Sequence, residues 1–304
     1  MIKDLQTDQQ HITGFFAVKD IAEKETREAK KKYLDLILVD ISGQINAKVW
    51  DIEKCLFGDR PKRGDIVKIE ALVQEYKGTK QLNLNKLRKA EKPDGYDPQK
   101  IIPKAPIPAQ EMWTTVSRFA NAIRDEQLHA AIQMVLQKYK DPLLSHPAAK
   151  TYHHSYQGGL LQHISTMLLA AEKLTTVYPC NTDLLYAGII LHDIGKVHEL
   201  STDATGLGTE YTLEGEMLGH IPLGLIELEH LSSLDAEKKL LLQHMILSHH
   251  EIPEWGSPKR PMFKEAELLH HLDMIDARMF DFVPARLNNR SNGKQMKRSL
   301  ALGI

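Results

Sequence analysis

A small β-barrel followed by an all-α domain is the fold class this sequence predicts, and three observations predict it. The first ninety residues are built of short β-type runs that partly alternate between apolar and polar positions. Residues 90–110, AEKPDGYDPQKIIPKAPIPAQ, hold five prolines and no apolar period, the composition of a linker or an extended strap. Beyond them apolar residues recur at intervals of three and four, the spacing of amphipathic helices. A chain of 304 residues is long enough for two such domains.

Taken in order, the β-type runs are ITGFFAVKDIAEK, KYLDLILVDISG, QINAKVWD, DIVKIEALVQEY and KQLNLNKL, with a possible helical turn in IEKCLF after the third. Five strands with a short helix after the third is the order of an OB-fold, a Greek-key barrel that often binds oligonucleotides. The stretch YLDLILVDISGQINAKVWD also resembles the second and third strands of OB domains, with Gly43 at the hairpin. Helical spacing then runs through WTTVSRFANAIRDEQLHAAIQMVLQKY, GLLQHISTMLLAAEKLTTVY, DLLYAGIILHD, DAEKKLLLQHMILSHH and EAELLHHLDMIDARMF, with Asp183 and Asp235 as N-cap candidates. The chain thus reads as a barrel over 1–92, a proline-rich linker over 93–111, a helical domain over 112–284 and a basic, flexible tail over 285–304.

Composition narrows the class. No stretch approaches the roughly 18 apolar residues of a membrane span, and MIKDLQTDQQ lacks the apolar core of a signal peptide. The two cysteines, Cys55 and Cys180, are far apart and form no CxxC pattern, which points to a reducing, cytoplasmic setting. The formal net charge of −1 conceals a strong asymmetry. Residues 183–276 carry 17 acidic against 6 basic side chains, residues 59–92 carry 10 basic against 5 acidic, and the tail is basic throughout. Thirteen of the 15 histidines fall between His146 and His271. An acidic, histidine-rich middle between basic segments suits a cation site that works on a polyanion.

The histidines sit where helices turn inward. His163 lies three residues from Leu160 on its helix's apolar stripe, His192 and Asp193 end an apolar run, and His249 and His250 end another. Asp273 and Asp276 belong to the last amphipathic segment. Burying such groups costs several kcal/mol unless something compensates, and a metal ion is the first candidate. The order His163, His192-Asp193, Asp273 around LHDIGK resembles the metal-binding signature of the HD phosphohydrolase superfamily, over essentially the whole helical part. EMLGHIPLG and LSHHE resemble the further histidines of HD proteins with a two-metal centre. The resemblance implies the ligand set His163, His192, Asp193, His220, His249, His250 and Asp273, with Asp193 bridging two ions and Asp276 the alternate for the last place.

Imidazole with carboxylate suits Mn²⁺, Fe, Co²⁺ or Zn²⁺, and a pair of ions sharing a bridging hydroxide is apt for phosphoester hydrolysis. Lys196 is placed to offset charge on a phosphoryl oxygen, with Gly195 turning the backbone to bring it in. Asp193 and Lys196 are therefore the candidate catalytic residues. Tyr33, Trp50 and Tyr76, with Lys77 and Lys80, are candidates for stacking and holding a single strand on the barrel; Lys86, Arg88 and Lys89 lie nearby. His153 and His154, in TYHHSYQGG, are candidates for lining the substrate path. His198, His230, His244, His270 and His271 read as core or surface residues.

The order of OB barrel, proline-rich strap and HD domain, together with PAAKTYHHSYQGGLLQH, resembles the YhaM-like 3′-to-5′ exoribonuclease family over nearly the full chain. This resemblance implies a manganese-dependent exonuclease acting on single-stranded RNA, and on single-stranded DNA as a second substrate. The residues themselves lead as far as a two-metal phosphodiesterase tethered to a single-strand binder. The rival reading is a nucleotide or cyclic-dinucleotide phosphohydrolase with a regulatory barrel, although GSP at 256–258 stands where the cyclic-di-GMP group has GYP. No membrane partner is expected, and the sequence leaves open whether the chain forms a homo-oligomer.

Overall fold

Five strands close into a barrel because their apolar residues alternate and their hairpins are short. The computed structural model describes residues 1–6, 10–26, 30–149, 156–203, 206–207 and 209–281. Strands β1 (His11–Glu25), β2 (Lys32–Asp40), β3 (Gly43–Val49), β4 (Ile66–Tyr76) and β5 (Thr79–Lys89) form a closed ring in the order β1-β2-β3-β5-β4, with α1 (Ile52–Cys55) after the third strand. All neighbours are antiparallel except β3 and β5, which run parallel through Lys48 opposite Asn83. This is the OB-fold that the strand order predicts. Leu34, Leu36 and Leu38 of β2 and Val67, Ile69, Ala71 and Val73 of β4 point inward at every second residue, and each large side chain so buried contributes about 1.5–3 kcal/mol.

Strand β5 breaks the alternation, burying Leu82 and Leu84 and then Leu87. Leu84 opposes Ala71 and Lys86 opposes Glu70, so Asn85 is an extra residue with no partner. That bulge shifts the inward face by one and returns Leu87 to the core. Among the described residues of this unit, one carboxylate, Asp40, is buried. It accepts from Ile2 N–H and Ser42 N–H, each at 2.7 Å, and from the Ser42 hydroxyl at 2.5 Å.

The chain divides into two compact units. The first holds Met1–Glu111 with Asp141–Gln162 and Leu200–Thr212; the second holds Met112–Lys140, His163–Glu199 and the chain from Leu213 onward. The proline-rich stretch is packed: Ile101 is buried with Ala17, Val39 and Leu207 in a small cluster of the first unit. The two-residue strands β6 (Leu200–Ser201) and β7 (Glu210–Tyr211) pair in the same unit.

Helices α2 (Ala109–Ala122), α3 (Glu126–Ser145), α4 (Gly159–Leu174), α5 (Thr182–Leu191), α6 (Lys196–Glu199), α7 (Leu213–Leu218), α8 (His220–Glu229), α9 (Ala236–Ser248) and α10 (Lys264–Asp281) complete the described chain. The long period from Trp113 divides at Arg124–Asp125, whose N–H groups both donate to the Asp183 carboxylate. Asp183 is therefore not the cap of α5: Asn181 is, accepting from Leu184 N–H, while Asp235 does cap α9. Helix α5 is buried from Leu184 through Leu191 and packs on α9 and α10. Gly188 leaves room for the end of the Met245 side chain of α9, since a Cβ there would lie 2.2 Å from Met245 Cε. Among the described residues no helix is long and apolar enough to cross a membrane.

Candidate metal centre

The central helix α5 delivers its last turn into the interior of the second unit, and the other helices aim polar groups at the same point. His192, the C-cap of α5, and Asp193 after it are almost fully buried. His163 comes from the second turn of α4, His220 from the first turn of α8, His249 and His250 from just past the end of α9, and Asp273 and Asp276 from α10. Pro222 suits its place as the third residue of α8, because the N–H it lacks has no partner in a first turn. Gly195 serves by close approach: a Cβ there would lie 2.0 Å from His220 O and 2.6 Å from Gly224 N. The expected role in turning the backbone is thus replaced by one in seating the His192-Asp193 turn against α8.

Two clusters meet at Asp193. Its Oδ2 lies 3.3 Å from His192 Nε2 and 3.7 Å from His163 Nε2; its Oδ1 lies 3.6 Å from His220 Nε2 and 3.7 Å from His249 Nε2. His163, His192 and Asp193 form one group able to hold a cation, and His220, His249 and His250 form another. Asp193 Oδ1, His220 Nε2 and His249 Nε2 are buried without a hydrogen-bond partner. Three such atoms facing one another are costly unless a ligand joins them, and all are metal donors. The residues therefore fit a divalent-cation site on their own geometry.

Nδ1 contacts decide which nitrogen each ring presents. His192, His249 and His250 direct Nδ1 to the carbonyls of Ile189 (2.8 Å), Ile246 (2.7 Å) and Trp255 (2.5 Å). A carbonyl only accepts, so Nδ1 carries the proton and Nε2 offers a lone pair. Burial and the neighbouring imidazoles push His249 well below its ordinary pKa, which keeps it neutral. Burial opposes charge on His163 as well, but Asp273 and Asp276 outweigh it and push the ring up to about 10. Asp193 is held well below the usual carboxylate range, because Lys196 and His192 overcome the effect of burial.

Asp273 and Asp276 divide their work. Asp273 Oδ1 lies 3.3 Å from His163 Nε2, on the side facing the centre, while Asp276 Oδ2 lies 2.7 Å from Nδ1, behind the ring. Lys196 Nζ donates to Asp193 Oδ2 at 2.6 Å, and its side chain is largely buried. Two positioning groups lacked a signal in the sequence. His270 is buried with Nδ1 2.7 Å from His249 O, and Glu199 Oε1 lies 3.2 Å from His220 Nδ1. Neither sits at a spacing that identifies it, since both act across the fold.

On the barrel, Tyr33 and Trp50 are paired rings with centres 4.7 Å apart, and Lys48 Nζ lies 5.2 Å from the Tyr33 ring. Trp50 donates from Nε1 to Asn83 and keeps 43% of its surface exposed; Tyr76 keeps 59%. Lys77 lies beside Tyr76 at the β4–β5 turn. Lys80 is turned away, its Nζ donating to Leu5 O. Lys86, Arg88 and Lys89 are paired with Glu70, Asp94 and Asp65. His153, His154 and the basic tail lie outside the described residues.

Known families and proteins match on the same two parts. Residues 160–278 match the HD domain model, and residues 18–90 match that of an OB-fold nucleic acid binding domain. The 3′-5′ exoribonuclease YhaM of Listeria monocytogenes is 39% identical over 260 residues, which is 84% of this chain and 81% of the relative. YhaM of Bacillus velezensis is 37% identical over 297 residues, 96% and 93% of the two chains. YhaM of Bacillus subtilis is 38% identical over 278 residues, 90% and 86% of the two. With both domains matched and most of each relative covered, this chain belongs to the YhaM family of 3′-5′ exoribonucleases.

Proposed function

We propose that this chain is a cytoplasmic nuclease that shortens single-stranded RNA, and single-stranded DNA as a second substrate, from the 3′ end with two divalent cations, Mn²⁺ foremost. The observation that carries the reading is Asp193, whose two oxygens face separate histidine clusters, with Oδ1, His220 Nε2 and His249 Nε2 all buried without a hydrogen-bond partner. His163, His192, Asp193 and Asp273 would hold one ion; His220, His249, His250 and the second oxygen of Asp193 would hold the other. When bound, the ions supply Lewis acidity and activate water for attack on phosphorus.

The chain's own groups do the rest. Asp193 fixes the spacing of the two positions, and the carbonyl-bound Nδ1–H groups keep His192, His249 and His250 in the ligating tautomer. Lys196, tethered to Asp193, brings a cation to the rim of the site, where a phosphoryl oxygen gathers charge. We assign residues 1–92 to strand binding, with Tyr33, Trp50, Tyr76 and Lys77 as the surface on which bases stack. Residues 112–284 carry the hydrolysis, and 93–111 connect the two. Lys80 and the pair His153-His154 complete the proposed substrate contacts, Lys80 only if it leaves the Leu5 carbonyl.

A 5′-labelled single-stranded RNA incubated with Mn²⁺ tests the reading, comparing the protein with a variant carrying His192→Ala and Asp193→Ala. The expected result is a ladder shrinking from the 3′ end that is absent with the variant. RNA left intact by a metal-loaded wild type would overturn the proposal and favour a nucleotide phosphohydrolase.

A further inference from the structure

Five imidazoles line the centre, and they are supported in two ways. His192, His249 and His250 rest on main-chain carbonyls. The other two rest on carboxylates, one in each cluster: Asp276 behind His163 and Glu199 behind His220. From this arrangement we infer that Glu199 is the positioning residue of the second cation position, holding His220 in place and raising its affinity for the ion. The inference rests on the two-ion reading above.

Three features support it. Glu199 Oε1 accepts from His220 N–H at 3.0 Å and lies 3.2 Å from Nδ1, so one oxygen holds both the backbone and the ring of the same residue. A carboxylate on Nδ1 makes the opposite nitrogen a stronger donor to a metal than a carbonyl does. The electrostatics of the helix ends add a second reason. His192 and His249 stand at the C-caps of α5 and α9, where the helix dipole favours a cation. His220 stands at the start of α8, where about half a positive charge opposes one. Glu199 puts a negative charge at that end. Packing fixes it there: a Cβ on Gly215 would lie 2.1 Å from Glu199 O, so α6 and α7 meet backbone to backbone.

Glu199→Gln separates this role from simple capping, because glutamine keeps one acceptor oxygen for His220 while losing the charge. The metal-free proteins are titrated with Mn²⁺, and free Mn²⁺ is read by electron paramagnetic resonance. We expect the wild type to bind two ions and Glu199→Gln to weaken one of them by about 10- to 100-fold, with little change in the melting of the metal-free form. Adding Glu199→Gln to His220→Ala should weaken Mn²⁺ no further, since both act on one position. Asp276→Asn should weaken the other ion, and Glu199→Asp, which keeps the charge, should recover most of the lost affinity. If two ions bind the wild type and Glu199→Gln titrates identically, or adds fully to His220→Ala, the assignment is wrong. A wild type holding one ion sinks the two-ion reading and the assignment with it.

Discussion

Asp40 in the barrel and Asp193 in the helical unit are both buried, and together they show what separates a satisfied carboxylate from one left open to a ligand. Asp40 in the barrel is sequestered and satisfied: both oxygens accept hydrogen bonds, from Ile2 N–H, Ser42 N–H and the Ser42 hydroxyl. Asp193 in the helical unit is buried as deeply, yet Oδ1 has no hydrogen-bond donor and faces two imidazole nitrogens that also lack a partner. Asp40 ends a strand and ties the N-terminal turn to it. Asp193 ends no ladder and caps no helix. Burial alone therefore does not mark the functional group; burial with unmet valence does.

Substitutions at the two positions should break apart cleanly. The largest effect is expected for Asp193→Asn, which supplies one oxygen in place of two and no charge between the clusters. Hydrolysis of single-stranded RNA should fall on the order of 10³-fold or more, the scale of removing a main charge-stabilising group. A loss under tenfold in a steady-state assay would remove Asp193 from the centre. Asp40→Asn should leave bound metal unchanged while costing the protein roughly 1–3 kcal/mol, because the amide nitrogen cannot accept from its donors. Urea unfolding followed by tryptophan fluorescence would measure that loss, and unchanged unfolding would mean Asp40 is not structural after all.

The smallest effect concerns another buried carboxylate, Glu227, which Lys138 engages at 2.6 Å. Burial raises its pKa, but Lys138 and Tyr139 outweigh burial and leave it below the ordinary value. A folded pKa below the unfolded one stabilises the protein above about pH 4.3 and is lost as pH falls through the folded value. Glu227→Gln should therefore cost about 1 kcal/mol at pH 7, discounted because Lys138 is half exposed. The gap to wild type should close in acid-unfolding curves as pH falls through the folded value of Glu227. A gap that persisted below that value would mean that shape, not charge, holds Glu227.

The same contrast governs what the sequence discloses. The barrel was legible strand by strand, since a two-residue period reports which side chains face inward, and the bulge at Asn85 was the exception, visible only through its pairing. The convergence of His163, His192-Asp193, His249 and Asp273 was legible too, because each closes or interrupts an apolar run. Helix α8 was not, since Pro222 suggests a break until its place in a first turn is known. Glu199 was hidden for another reason, as was the supporting role of Asp276, which the sequence offers only as an alternate ligand: a residue that supports a ring from behind needs no particular neighbour in sequence, only one in space.

The spread of these residues along the chain has a consequence for how the molecule is made. His163 and Asp276, in direct contact, are separated by 113 positions, and Asp273 lies almost as far along. A nascent chain that has produced α4, α5, α8 and α9 holds every histidine of the centre but neither α10 carboxylate. Until α10 is synthesised and docks, His163 lacks both carboxylates that hold it. The candidate metal centre is thus completed only once the chain has been made through α10, and translation that stops before α10 leaves His163 without Asp273 and Asp276.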